Sequence, residues 1–317
     1  MRYCIGVDLG GTNIAVGLLE LDSKRIQDKI SIKTNAPRPC EEISRDIAEV
    51  SRELCKRNGM ELSDLLWIGV ATPGIVKNGE VAVAFNLGWE NAPFGKILSE
   101  CLGVPAFVAN DANAAAYAEA KWGQGAGEES VIAVTLGTGV GGGIVIDGRI
   151  WEGVNGFAGE IGHMMIADSG RQCGCGLRGC LEAYCSATAL VGETKRIMKL
   201  YPESAMWQMV DGDLGRVNGV TAFAAKKRGD LAGSIVVRDF IEYLAIGVAN
   251  IINVFQPSVV VIGGGISGEG EELLRPLRER LKHISFGTAK SRTRVEAAKY
   301  RNDAGIIGAG LLGLMEE

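Results

Sequence analysis

One of the two histidines in this chain, His163, lies ten residues ahead of a tight cysteine group, Cys173, Cys175 and Cys180. Two glutamates, Glu160 and Glu182, bracket the segment. Three thiolates and a neutral imidazole are the soft ligands that a tetrahedral structural zinc takes. Gly174, Gly176 and Gly179 interleave with the cysteines, and glycine permits the turns that bring neighbouring sulfurs to one point. The spacing therefore predicts a Zn2+ site of Cys173, Cys175 and Cys180, with His163 or Cys185 as the fourth ligand. Cys4, Cys40, Cys55 and Cys101 read instead as small buried hydrophobes. Acidic side chains fixed beside such a knot are rigid acceptors, which suit a polyhydroxylated small molecule.

Three glycine turns point to phosphate chemistry. Gly10-Gly11-Thr12, Gly137-Thr138-Gly139 and Gly263-Gly264-Gly265 each follow an apolar run. A backbone wraps phosphate oxygens only if it approaches closely and turns several N–H groups inward, which glycine allows; threonine adds a hydroxyl donor. One such turn is commonly just a hairpin, but three together favour a nucleoside triphosphate. Gly137 to Gly142 imitates a dinucleotide fingerprint, yet a strand-like IVID follows where that motif needs a helix. No GxxxxGK[ST] loop and no HRD or DFG set occurs. Asp8 stands beside the first turn, placed to hold Mg2+ through water or to cap the turn. Asp111 follows the apolar strand AFVA, where crevices in α/β proteins lie, and reads as a general base or as a helix N-cap.

Alternating short β-branched runs and helical stretches must position these groups. Strands are expected over 3–8, 14–21, 26–34, 67–71, 106–109, 131–136, 143–146 and 259–262. Helices are expected over 41–57, where Ile43, Ile47, Val50 and Leu54 share a face, and over 113–122 and 234–255. Pro276 implies a kink or restart within 271–281. Val7 to Asp22 and Val134 to Gly148 both read strand, Gly/Thr turn, strand, acidic turn, an echo that suggests a duplicated unit. The composition, 47% hydrophobic and 22% charged with 45 glycines over 317 residues, fits a two-part α/β protein and excludes disorder. A net charge of -5 argues against a nucleic-acid surface. The apolar region 243–266 is too interrupted for a membrane span and reads as a buried helix followed by a buried strand. No signal peptide is visible before the first strand, so the cytoplasm is expected, where a cysteine cluster favours metal over disulfide.

Taken together, these residues resemble the ROK family of sugar kinases and repressors, within the actin-like ATPase fold. The resemblance rests on Asp8 to Thr12, TPG at Thr72 to Gly74, NLGW at Asn86 to Trp89 and NDAN at Asn110 to Asn113. It also includes Gly137 to Gly139, ExGH at Glu160 to His163 and CGCGxxGCxE from Cys173 to Glu182. Within the family the motifs are most similar to those of the bacterial glucokinases. The resemblance implies a two-lobed, ribonuclease H-like fold with a duplicated core. The small lobe would span 1–111 plus 301–317, and the large lobe 112–300, with the zinc-binding segment at 163–180. It implies ATP held by Asp8, Gly10, Gly11, Thr12, Asn13, Gly137, Thr138, Gly139, Gly264 and Gly265. It implies a sugar held by Asn86, Asn110, Asp111, Glu160, His163 and Glu182, with phosphoryl transfer to O6 of a hexose and Asp111 as base. A homodimer is implied as well. An N-acetylhexosamine or mannose kinase is the near alternative. A sugar-sensing regulator would need a helix-turn-helix ahead of Asp8, where this sequence offers no room.

Overall fold

In the first part of the chain, β1 (Tyr3–Leu9), β2 (Asn13–Glu20) and β3 (Arg25–Lys33) precede α1 (Cys40–Arg57) and β4 (Leu65–Thr72). Next come β5 (Ile75–Lys77), β6 (Glu80–Ala84), β7 (Trp89–Ala92), α2 (Phe94–Leu102), β8 (Ala106–Asn110) and α3 (Asp111–Lys121). The second part begins with β9 (Ser130–Leu136), β10 (Val140–Ile146), β11 (Arg149–Ile150), α4 (Glu182–Cys185) and α5 (Ala187–Leu200). It continues with α6 (Met206–Met209), α7 (Thr221–Lys227), α8 (Leu231–Phe255), β12 (Val259–Gly263), α9 (Glu271–Ile284), β13 (Arg294–Ala297) and α10 (Ala304–Leu311). These elements come from a computed structural model that describes residues 1–77, 79–286 and 292–316.

The first sheet has the order β3-β2-β1-β4-β8, and the second β11-β10-β9-β12-β13. Ranked by position in the chain, both read third, second, first, fourth, fifth. The echo between the two glycine hairpins thus extends to two whole sheets of one topology. A third sheet, β5-β6-β7, is a small antiparallel meander. The short strands of that meander, between Gly74, Gly79 and Gly88, gave no periodicity to read in advance.

The burial patterns explain each element's place. Strand β4 is buried at all but one residue, as a strand covered on both faces must be. It runs parallel to β1 and to β8. Edge strand β3 alternates exposed and half-buried residues. Helix α1 buries Ile43, Ile47, Val50 and Leu54 on one stripe, with acids in its first turn and bases in its last, matching the helix dipole. The apolar region ahead of Ile266 is α8, then β12, whose five residues are all buried. Helix α9 differs from expectation: it passes Pro276 as a single helix, giving up one backbone bond without a restart. Among the described residues no helix is long and apolar enough to cross a membrane.

Two compact units result: Met1–Val131 with Gly143–Gly159 and Asn302–Glu317, and Ile132–Gly142 with Glu160–Arg301. The boundary expected after Asp111 therefore falls later, because α3 belongs to the first unit. Its partner there is α10, approached so closely that a Cβ on Gly308 would lie 1.7 Å from the carbonyl oxygen of Ala114. On its other side α10 lies directly on the first sheet. A Cβ on Gly6 would be 1.9 Å from the Ile306 oxygen, and one on Gly69 1.8 Å from the Ala309 oxygen.

Candidate active site

The carboxyl ends of β1, β4 and β8 gather the chemistry of the first unit. Asp8 is in register with Ala71, and Ala71 with Ala109, so Asp8 and Asp111 emerge at the same end of the sheet. The Asp8 side chain is half-buried against the start of α10, where Gly305 leaves it room: a Cβ there would meet its carboxylate at 2.6 Å. Burial, and secondarily the charge of Asp111, push the Asp8 carboxyl up to about 6. The following turn is closed by the Gly10 N–H donating to the Asn13 carbonyl at 2.9 Å. Thr34 braces it, its N–H donating to the Thr12 carbonyl (3.0 Å) and its hydroxyl to the Gly10 carbonyl (2.6 Å). Asn86, exposed in the turn between β6 and β7, lies beside Gly11.

The N-cap of α3 is Asn110 and not Asp111. The Asn110 side-chain oxygen accepts from the N–H groups of Ala112 and Asn113, and its amide donates to the Gly74 carbonyl at 2.9 Å. Asn110 is thus occupied in holding the helix start and the Thr72–Gly74 turn. Asp111, the first helical residue, has an exposed carboxylate, one oxygen of which accepts from the Ala112 N–H at 2.8 Å.

In the second unit the turn Gly137–Gly139 follows β9 and is closed by the Gly137 N–H donating to the Gly139 carbonyl at 3.0 Å. The start of α5 fastens it: Ala187 N–H donates to the Gly137 carbonyl (2.8 Å) and the Thr188 hydroxyl to the Thr138 carbonyl (2.8 Å). Gly264, at the end of the neighbouring β12, has φ +77 and presses on β9, where a Cβ would lie 2.4 Å from the Leu136 oxygen. Gly264 and Gly265 therefore sit beside the β9 turn. Glu182 ties this turn to the cysteines. One carboxylate oxygen accepts from the Val140 N–H at 3.0 Å, and the other lies 3.5 Å from the Cys173 sulfur.

His163, Cys173, Cys175 and Cys180 come together with their ligand atoms all within 4.8 Å of one another. The Cys175 and Cys180 sulfurs are 3.7 Å apart, as are the Cys173 sulfur and His163 Nδ1. A tetrahedron with Zn–S bonds of about 2.3 Å has S–S edges of about 3.8 Å. The donor set is compatible with a structural zinc. Cys185, left open as an alternative ligand, is fully buried away from the group and faces the Phe240 carbonyl. Burial pushes the Cys173 thiol up to about 12, so a thiolate there calls for a cation. Of the interleaved glycines, Gly176 (φ +91) and Gly179 (φ +81) use the left-handed region; Gly174 does not. With Nδ1 facing the sulfurs, His163 Nε2 points to Glu160, 3.9 Å from its carboxylate. Imidazole and carboxylate thus form a hydrogen-bonding edge whose orientation the knot sets.

Trp89 packs on Phe94 in the core, donating its indole N–H to the Arg38 carbonyl. Sequence reasoning passed over Thr34 and Thr188, which brace the two turns; hydroxyls at a strand end and a helix start carry no signal without the tertiary contact.

Two sheets of one topology, each ending in a glycine turn, define an α/β protein of the actin-like ATPase fold. The sequence profile of the ROK family matches residues 4–315, and the chain belongs to that family. It is 36% identical over 319 residues to a glucokinase of Halalkalibacterium halodurans, covering 100% of this chain and 96% of that protein. The crystal structure of a ROK family glucokinase from Streptomyces griseus in complex with glucose and AMPPNP is 34% identical, with a TM-score of 0.81 over 98% of each chain. A xylose repressor of Caldicellulosiruptor bescii is 31% identical over 309 residues, 96% of this chain and 76% of the repressor.

Proposed function

We propose that this chain is an ATP-dependent sugar kinase that transfers the γ-phosphoryl group of Mg-ATP to O6 of glucose. The observation that carries the reading is the exposed Asp111 carboxylate, relieved of capping by Asn110, at the same sheet end as Asp8 and the Gly10–Thr12 turn. The glucokinase relative and the glucose and AMPPNP complex support the donor and the acceptor.

In this reading Asp111 accepts the proton of the sugar O6 hydroxyl as that oxygen attacks the γ-phosphorus. The bond from phosphorus to the β,γ-bridging oxygen breaks, and ADP departs. Backbone N–H groups of Gly11, Thr12 and Asn13, of Thr138 and Gly139, and of Gly264 and Gly265 are the donors assigned to the phosphates, with Gly10 and Gly137 closing their turns. Asp8 holds the hydrated Mg2+, which supplies charge neutralisation when bound. Asn86, Glu160, His163 and Glu182 are assigned to the sugar hydroxyls; Asn110 acts by fixing the backbone that presents Asp111. A cytoplasmic location and a homodimer belong to the same reading.

ADP release from Mg-ATP against a panel of hexoses and N-acetylhexosamines tests it. Glucose should be the preferred acceptor, and Asp111→Asn should lower kcat by roughly 10²–10⁴ with little change in folding. Preference for an acetylated sugar or mannose would keep the mechanism and move the substrate. Near-normal turnover in Asp111→Asn would remove the base. A sugar-sensing regulator is favoured only if the wild-type chain binds sugar and turns over none.

A further inference from the structure

On the phosphate side the first turn has no lysine of its own, and strand β3 supplies one. We propose that Lys33 is a nucleotide-binding residue, its ammonium group contacting the terminal phosphates held at the Gly10–Thr12 turn. This rests on the nucleotide part of the reading above.

Lys33 is the last residue of β3 and pairs in register with Asn13, the first residue of β2 after the turn. Its Nζ donates to the Asn13 side-chain oxygen at 2.9 Å. The next residue, Thr34, bonds both Gly10 and Thr12, so the backbone carrying Lys33 is fastened to the turn itself. Side chains alternate along a strand, and Asp8, Asn13 and Lys33 all project from the face that α10 covers further along. That face is identified by Gly6 and Gly17, which meet Ile306, and by Gly305, which meets Asp8.

The other two cations of β3 show what an ordinary edge-strand lysine or arginine does. Arg25 pairs with the Glu20 carboxylate at 3.1 Å, and Lys29 with the Asp303 carboxylate at 2.8 Å. Lys33 rests on a neutral amide, and among the described residues no carboxylate pairs with it. An uncompensated positive charge is thus held at the mouth of an anion-binding turn, on the same face as the carboxylate assigned to Mg2+. An ammonium group serves phosphate as a point charge from such a position.

The test compares wild type with Lys33→Met, Lys33→Arg and, as a control for surface charge, Lys29→Met. Mg-ATP, Mg-ADP and adenosine are titrated calorimetrically without sugar, and KM values for ATP and glucose are measured alongside. Lys33→Met should weaken Mg-ATP binding roughly tenfold, as expected for loss of one exposed charge-assisted contact, and raise the KM for ATP in parallel. Adenosine affinity and the KM for glucose should stay within about twofold, Lys33→Arg should recover most of the loss, and Lys29→Met should resemble wild type. Unchanged Mg-ATP affinity in Lys33→Met, equal weakening in Lys29→Met, or a wild-type chain that binds no Mg-ATP would each overturn the assignment. A wild type that binds Mg-ATP through Lys33 but phosphorylates no sugar would instead leave Lys33 in place and remove the kinase reading.

Discussion

The exchange of roles between Asn110 and Asp111 leaves the cap to the asparagine and an exposed carboxylate on the residue after it. An aspartate opening an alanine-rich helix usually caps it, and a capped carboxylate is committed to backbone N–H groups. Here the preceding asparagine does that work, accepting from the Ala112 and Asn113 N–H groups. Burial, and secondarily the charge of Asp111, raises Asp8 to about 6 from an ordinary value of 3.8. The folded state therefore keeps the Asp8 proton over a range in which the unfolded chain has lost it. The protonated form favours folding, so this contribution is full below about 4, is lost as pH rises towards about 6, and is constant above. Asp8→Asn should abolish the corresponding slope of stability against pH and raise the unfolding free energy above pH 6 by up to roughly 3 kcal/mol. Urea unfolding at several pH values measures this. Mg-ATP has the opposite preference, for the carboxylate, so its affinity should rise with pH through the same window. A variant with the wild-type slope would assign the effect to other groups.

At the scale of elements, two close packings decide where the functional groups sit. Helix α10 touches the first sheet at Gly6 and Gly69 and α3 at Ala114, so it fixes the distance between the strand ends and the helix that begins with Asp111. Gly69→Ala would drive a methyl group into the Ala309 carbonyl, which is backbone and cannot rotate away. We expect a loss of at least about 2 kcal/mol, towards the upper end for overpacking. Gly192→Ala in α5, with nothing near its added Cβ and no positive φ, should instead stabilise by roughly 0.5–1 kcal/mol. Thermal unfolding of the pair checks both signs. The cysteine segment is the second element. Cys175→Ser should lose bound zinc by metal analysis and raise the KM for glucose, while the affinity for Mg-ATP measured without sugar stays the same. Zinc loss with an unchanged glucose KM would confine the knot to a purely structural role.

On the scale of the whole molecule, duplication is the organising fact. Each copy of the five-stranded pattern opens with a hairpin whose glycine turn ends up at the carboxyl end of its sheet. The copies have diverged at the position beside the turn: Asp8 in the first corresponds to Thr135 in the second. Only the first copy therefore brings a carboxylate to its turn from that strand position. The glucose reading also predicts a property of the whole chain. Glucose at a hundred times its Kd should add about 2.7 kcal/mol to the unfolding free energy, and a sugar the chain does not bind should add none. A thermal-shift series over hexoses would rank the acceptors independently of turnover.

By itself the sequence determined the elements and the chemistry whose signals are local. The glycine hairpins, the apolar face of α1, the α8–β12 succession and the cysteine spacing all announce themselves within a few residues, because periodicity and turn chemistry act at that range. Tertiary structure decided the rest. It brought His163 Nδ1, and not Cys185, to the sulfurs of Cys173, Cys175 and Cys180, and it gave the cap to Asn110. It assigned α3 to the first unit through α10, some two hundred residues away in the chain. It also put Lys33 beside Asn13. Each of these depends on a strand register or a helix contact between distant segments, and no local pattern of residue types encodes which distant backbone will arrive.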